Sequence, residues 1–213
     1  MEFYGYFRSS AAFRVRIALN LKGLSPEQRF IHLRKGDQNA PAYRAINPQG
    51  LIPALVDEGV HLTQSLAIIE YLDERHPHPP LLPTDPAARA RVRAIALAIA
   101  CDIHPLNNLK VLNHLRDAFG IDEEGRQRWY AHWIAEGLTA VESLLADSPD
   151  TGPFCHGASP TIADICLVPQ VFNALRMNCP LDAYPTIRAI VEHCRPLPAF
   201  HNAEPALQPD AEP

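Results

Sequence analysis

Three polar residues, Arg8-Ser9-Ser10, separate the short aromatic segment 2–7 from the apolar, arginine-bearing segment 11–19. A serine at a helix start accepts a bond from an orphan backbone N–H, and the helix start itself favours negative charge. The hydroxyl can also point outward and donate to an anion. These residue types suit a site that holds the thiolate or carboxylate of a small molecule, with Arg8 as the adjacent cation.

Two further motifs bear on such a site. In Gln49-Gly50-Leu51-Ile52-Pro53-Ala54-Leu55 a proline opens a strand, where it cannot donate to the ladder. Were Ile52–Pro53 cis, the Ile52 backbone would be turned outward to pair with a peptide-like ligand. On the residues alone a trans edge proline is the expectation, since cis is about 5–6% of X–Pro bonds. Gln64-Ser65 lies between a hairpin and an apolar helix pattern, where free N–H groups and a hydroxyl would suit a carboxylate, although for Ser65 alone a simple N-cap is the expectation. Arg14 and Arg16 alternate with apolar residues and read as structural. Asp164, in Thr161-Ile162-Ala163-Asp164, reads as half of a capping box. His76-Pro77-His78-Pro79 reads as surface linker rather than as a metal site.

The elements that must position these groups follow from pattern. Strands are expected over 2–7, 28–33, 51–56 and 60–63, with Asp57-Glu58-Gly59 as a hairpin turn. Helices are expected over 10–22, stopped by Gly23, over 40–46, and over 65–75 with Ser65 as cap. The order βαβαββα implies a small mixed sheet with helices packed on it. A proline-rich stretch, 76–86, then reads as a linker. Beyond it only helices are expected, over 87–119, 123–146, 161–177 and 184–192, and the proline-rich tail reads as one loose turn and then disorder.

Composition narrows the function classes. The 213 residues are 47% hydrophobic and 20% charged, enough for one or two cores. A net charge of −5 argues against a nucleic-acid partner. The longest apolar run, 94–101, is too short to span a bilayer, so no membrane partner is expected. Five widely spaced cysteines without a Cys-x-x-Cys pair read as reduced thiols in a cytoplasmic protein.

Taken together, Ser9-Ser10-Ala11-Ala12-Phe13-Arg14-Val15-Arg16-Ile17-Ala18-Leu19, Asn47-Pro48, Ile52-Pro53, Gln64-Ser65-Leu66-Ala67-Ile68-Ile69-Glu70-Tyr71-Leu72 and Ala163-Asp164-Ile165-Cys166-Leu167-Val168-Pro169-Gln170 resemble the zeta class of the glutathione transferase superfamily, over nearly the whole chain. The resemblance implies an α/β thioredoxin-like N-terminal domain over 1–76, a linker over 77–86, an all-α C-terminal domain over 87–203 and a disordered tail over 204–213, in a homodimer. It also implies a cis Pro53, with glutathione as cofactor lying along the Ile52 backbone. Gln64 and Ser65 would meet the γ-glutamyl carboxylate and Gln38 the glycyl end. His104 and Asn108 would also contact the cofactor. Ser9 would donate to the sulfur, with Ser10 the alternative. Arg8, Lys110 and Arg176 would take a small dicarboxylate substrate. The implied reaction is cis–trans isomerisation of a maleyl keto acid in aromatic or tyrosine breakdown, maleylacetoacetate before maleylpyruvate. Conjugation or dehalogenation of small halo acids, or non-catalytic glutathione binding, are the alternatives. One departure stands out: many zeta enzymes carry cysteine and serine where this chain has Ala11 and Ala12.

Overall fold

The computed structural model describes residues 1–212 and divides into two compact units, Met1–Leu81 with the segment from Arg195 onward, and Leu82–Cys194. The first is built on a four-stranded sheet of β1 (Glu2–Gly5), β2 (Glu27–Phe30), β3 (Ala54–Asp57) and β4 (Val60–Thr63), in the order β2-β1-β3-β4. β1 and β2 run parallel, so a crossover must join them, and α1 (Ser10–Leu21) supplies it. β3 and β4 are antiparallel to their neighbours, joined by the expected tight turn, with Glu58 and Gly59 both at positive φ.

Helix α1 is buried from Ser10 to Leu19 except at Ala11. It packs against α3 (Ser65–Arg75) and against the short α9 (Pro198–His201), which explains why its sequence alternates like a strand yet folds as a helix. Both arginines of the alternation are buried, at 1% and 6% exposure for Arg14 and Arg16. The short α2 (Pro41–Arg44) completes the run of elements before the cis Ile52–Pro53 bond.

The linker after α3 is anchored to the first unit: the Lys22 side chain is fully buried and pairs with Asp73 at 2.6 Å, and Asp73 also accepts from the Leu81 N–H at 2.8 Å. One expectation about the chain beyond the domains is corrected. The segment from 204 onward is not disordered as far as it is described. Pro205–Leu207 form a 3-10 turn, Pro205 is buried, and residues 208–212 bond back onto the first unit. Its proline-rich composition limits the backbone to turns, and polar side chains then supply the anchors that an apolar face would otherwise provide.

The second unit contains α4 (Pro86–Leu97), α5 (Leu109–Phe119), α6 (Glu123–Ala146), α7 (Ile162–Arg176) and α8 (Pro185–Cys194). α7 is buried along almost its whole length. Its capping box forms as read, with Asp164 accepting from the Thr161 and Cys155 N–H groups at 2.8 and 2.7 Å. The single helix expected over 87–119 is broken. A π turn runs from Ala98 to Ile103 and a 3-10 turn from His104 to Asn107 before α5 begins. Pro105 has no N–H to continue an α-helix and disfavours the helical conformation before it. The freed carbonyl of Leu106 accepts from Trp129 Nε1 at 2.8 Å, and Asn107 Nδ2 donates to the Tyr130 carbonyl at 3.3 Å. By length and composition alone the stretch Pro86–Phe119 would suffice to cross a membrane, but this break divides it.

The π turn lies against α6 at Gly137, where an added Cβ would sit 2.1 Å from Cγ1 of the fully buried Ile103. Replacing a mid-helix glycine by alanine gains up to about 1 kcal/mol in helix propensity. Overpacking a stiff β-branched side chain costs about 1–3 kcal/mol, so the clash wins. Gly137→Ala is therefore expected to lower stability in urea denaturation; a variant as stable as the parent would show that Ile103 can move aside.

Candidate active site

Strand polarity brings the first unit's polar groups to one end of the sheet. Tyr4 in β1 pairs with Ala54 at the start of β3, and Ala54 pairs with Thr63 at the end of β4. Gly5 at the end of β1 pairs with Phe30 at the end of β2. The turn into α1, the chain after β2 that leads to Gln38, the Ile52–Pro53 bond and the turn into α3 all emerge there. Tyr6, Phe7, Tyr43, Ile52 and Ala54 form one buried apolar cluster beneath them.

The turn that leads into α1 is a β-turn, Tyr6 to Ser9, closed by the Ser9 N–H donating to the Tyr6 carbonyl at 3.0 Å. Ser9 caps α1 and accepts from the Ala12 N–H at 3.2 Å, which leaves its hydroxyl proton for an outside acceptor. Ser10 is the first helical residue and only 5% exposed. Arg8 is half-buried and stacks its guanidinium 4.9 Å from the Phe7 ring centroid. Arg16 is structural, as the alternation suggests, but through backbone rather than an ion pair alone. It donates to the carbonyls of Phe7 at 3.1 Å, Tyr6 at 3.5 Å and Ala203 at 3.0 Å. Burial pulls Arg16 down to about 10, opposed by the charge of Asp210, and it stays cationic at neutral pH.

At the second helix start the cap differs from the expectation. Gln64, at φ 68°, occupies the cap position and Ser65 is the first helical residue. The hairpin strand turns into the helix through that positive φ, so the helix begins with Ser65 inside it. Ser65 Oγ accepts from Arg14 Nη1 at 3.3 Å, and Gln64 Nε2 donates to Gln49 Oε1 at 2.9 Å. Neither α1 nor α3 has an acidic residue in its first turn, in contrast to α6 with Glu123 and Glu124. Two unneutralised helix starts at one sheet end favour an anionic ligand.

The loop before Pro53 is held by Asn47, from the Asn47-Pro48 motif, and by Tyr43, which the motif reading did not single out. Tyr43 Oη and Asn47 Nδ2 both donate to the Leu51 carbonyl, at 2.6 and 2.7 Å. Burial pushes the Tyr43 phenol well up, so it remains a donor. Gly50 sits at φ 61°, and a Cβ there would meet Arg44 Nη2 at 3.0 Å and the Gln38 carbonyl at 3.1 Å. Gln38 Oε1 is a buried acceptor with no partner among the described residues. A peptide N–H would satisfy it, so the residues fit an extended, carboxylate-bearing peptide.

The remaining candidates lie in the second unit. Asn108 caps α5 and accepts from the Lys110 N–H at 3.0 Å, while His104 opens the 3-10 turn. Lys110 is exposed. Arg176 donates to Asn173 Oδ1 at 3.3–3.4 Å, and its charge opposes the burial that pushes the Tyr130 phenol up to about 12.

Comparison with known proteins matches this architecture. Residues 3–80 match the glutathione S-transferase N-terminal domain and residues 123–193 the C-terminal domain. Maleylacetoacetate isomerase of Pseudomonas aeruginosa is 50% identical over 99% of this chain and 98% of its own. A solved maleylpyruvate isomerase, described as a bacterial glutathione S-transferase of the zeta class, aligns over 100% of both chains with TM-score 0.98 and 47% identity. Maleylacetoacetate isomerase of Methylobacterium extorquens AM1, solved with bound malonate and glutathione, aligns over 100% of both chains with TM-score 0.97 and 43% identity. The chain belongs to the glutathione S-transferase family, in its zeta class.

Gly50→Ala, which forces a side chain into a left-handed position against Arg44 and the Gln38 carbonyl, is expected to cost about 1–3 kcal/mol in denaturant unfolding. No loss would mean that the loop before Pro53 tolerates rearrangement.

Proposed function

We propose that this protein is a glutathione-dependent cis–trans isomerase of a maleyl keto acid, with maleylacetoacetate the first choice of substrate and maleylpyruvate the second. The observation that carries the reading is the meeting of Ser9, Ile52–Pro53 and Gln64–Ser65 at one sheet end, in a chain whose full-length relatives are maleylacetoacetate and maleylpyruvate isomerases. The malonate and glutathione held by the Methylobacterium extorquens relative support a dicarboxylate substrate beside a glutathione cofactor. The accompanying proposals are a cytoplasmic homodimer, a role in aromatic breakdown, glutathione binding by the first domain and substrate binding by the helical one.

Bound glutathione supplies a thiolate that adds reversibly to the conjugated double bond, which is then a rotatable single bond until the sulfur leaves. The protein's part is binding, orientation and charge. In our assignment, the Ser65 hydroxyl and the N–H groups at the start of α3 hold the γ-glutamyl carboxylate, with Gln64 beside them. Gln38 takes the glycyl end, and the Ile52 backbone pairs with the peptide. Ser9 Oγ–H donates to the sulfur and, with the start of α1, favours the thiolate at neutral pH. Ser10, buried as the first helical residue, is the less accessible alternative. Arg8 pairs with a substrate carboxylate beside the sulfur, and Lys110 and Arg176 are the further cations assigned to the substrate, with His104 and Asn108 as polar contacts.

The deciding assay follows loss of the enol absorbance of maleylacetoacetate and maleylpyruvate, each with and without glutathione, coupled to a hydrolase specific for the trans product. Glutathione-dependent turnover is expected, and the ratio of kcat/KM values names the substrate. Turnover of neither would sink the isomerase reading. A hydrogen bond to a charged group is worth about 1.5–3 kcal/mol, so Ser9→Ala is expected to lower kcat by about 10- to 100-fold and to change the glutathione KM much less. Unchanged turnover would move the role to Ser10. Arg8→Ala is expected to raise the KM for the dicarboxylate by about tenfold or more on the same scale, and an unchanged KM would make Arg8 structural.

A further inference from the structure

The catalytic role proposed above depends on where Ser9 Oγ is held, and the groups that hold it extend beyond the β1–α1 turn. Two carbonyls of that turn, those of Tyr6 and Phe7, accept from the buried Arg16. The N–H of the 3%-exposed Phe7 donates to Asp210 Oδ2 at 2.9 Å, on a residue 203 positions away. Asp210 belongs to the C-terminal segment, which is itself pinned on either side. Gln208 Nε2 donates to the carbonyls of Asn202 at 3.0 Å and Glu204 at 2.8 Å. His32 Nε2 lies 2.8 Å from Glu212 Oε1, and Ala211 packs on the cluster of Tyr6, Phe7, Tyr43 and Ile52.

We propose that Asp210 is a positioning residue for the Ser9 hydroxyl, and that the segment 208–212 is a strap that fixes the turn at the sheet end. Loss of its carboxylate leaves the Phe7 N–H buried without an acceptor, and the turn must shift to hydrate it. Ser9 closes that turn and caps α1, so a shift of the turn moves Ser9 Oγ with it. Arg16 alone does not prevent this, because it restrains the carbonyl side of the turn only. The charge of Asp210 also favours the Arg16 cation, which couples the two halves of the clamp. The proposal rests on Ser9 acting on the glutathione sulfur.

The test compares Asp210→Ala, Asp210→Asn and Asp210→Glu in the full-length protein. Three readouts are taken: isomerase kcat and KM, the ultraviolet absorbance of glutathione thiolate in the binary complex across pH, and the thermal midpoint. Asp210→Ala is expected to lower kcat by about tenfold or more, as a displaced catalytic group does, with a smaller change in the glutathione KM. It should also raise the pH at which bound thiolate forms. Asp210→Asn keeps an acceptor oxygen in place and is expected to recover most of kcat. Asp210→Glu keeps the charge but moves the oxygen by one methylene, and is expected to recover less. The Asn–Glu comparison stands even if Asp210→Ala does not fold. Wild-type kcat and thiolate titration in Asp210→Ala would overturn the proposal, as would Asn performing no better than Glu. Absence of any bound thiolate in the wild-type protein would instead sink the functional reading itself, whatever the Asp210 variants do.

Discussion

The interaction on which the rest of the first unit depends is the buried guanidinium of Arg16. A charge removed from water is costly unless every donor finds an acceptor. Arg16 offsets this cost by donating from each of its three nitrogens to a backbone carbonyl, those of Ala203, Tyr6 and Phe7, and the charge of Asp210 further favours the cation. The Phe7 and Ala203 carbonyls gain a donor in the same step, and the Tyr6 carbonyl, which already accepts from Ser9 N–H, gains a second. The turn after β1 therefore has one arrangement, and the first helical N–H groups of α1 face one direction. The same contact joins the start of the chain to its end, because Ala203 lies just beyond α9.

Sheet topology does the remaining convergence. Parallel β1 and β2 end at the same edge, and antiparallel β3 and β4 begin and end there in turn. Any loop that enters or leaves at that edge is brought beside the others without a long excursion. Two of those loops deliver helix starts, α1 and α3, and neither has a carboxylate in its first turn. A chain with a net charge of −5 thus presents a local patch of positive potential built from backbone dipoles, with Arg8 as its side-chain cation. That suits a ligand carrying a thiolate and carboxylates better than surface lysines would, because a fixed N–H array needs no side-chain ordering.

Much of this was legible in the residues. The serine pair before an apolar run marked the start of α1, the Asp57-Glu58-Gly59 turn marked the hairpin, and the capping box marked α7. The cis state of Pro53 was not legible from the residues alone, where the trans form is the expectation; the family resemblance supplied it. The cap of α3 was misplaced by one residue because Gln64 takes a positive φ, which sequence preference does not favour for glutamine. The break at 98–108 was missed although Pro105 signalled it, since the apolar periodicity continues on either side. The tail was missed for a different reason. Its anchors at Asp210 and Glu212 are single polar bonds across 203 and 180 residues, and no local pattern records them.

The placement of sulfur sets what the site can do. All five cysteines fall between Cys101 and Cys194, in the second unit, so the first unit has no thiol of its own. Four of the five are buried, and burial raises the thiols of Cys155, Cys179 and Cys194, which keeps them protonated at neutral pH. At the serine turn the chain has Ala11 and the fully buried Ala12. A hydroxyl at position 12 would need a partner inside the core, and a thiol at position 11 would introduce an oxidisable group two residues from the cap. Thiolate chemistry that rests on the first unit alone therefore requires a sulfur brought in by the ligand. In the proposed mechanism the protein's share reduces to holding a hydroxyl proton, two helix starts and a cation around that sulfur, and Arg16 secures the turn at the first of those helix starts.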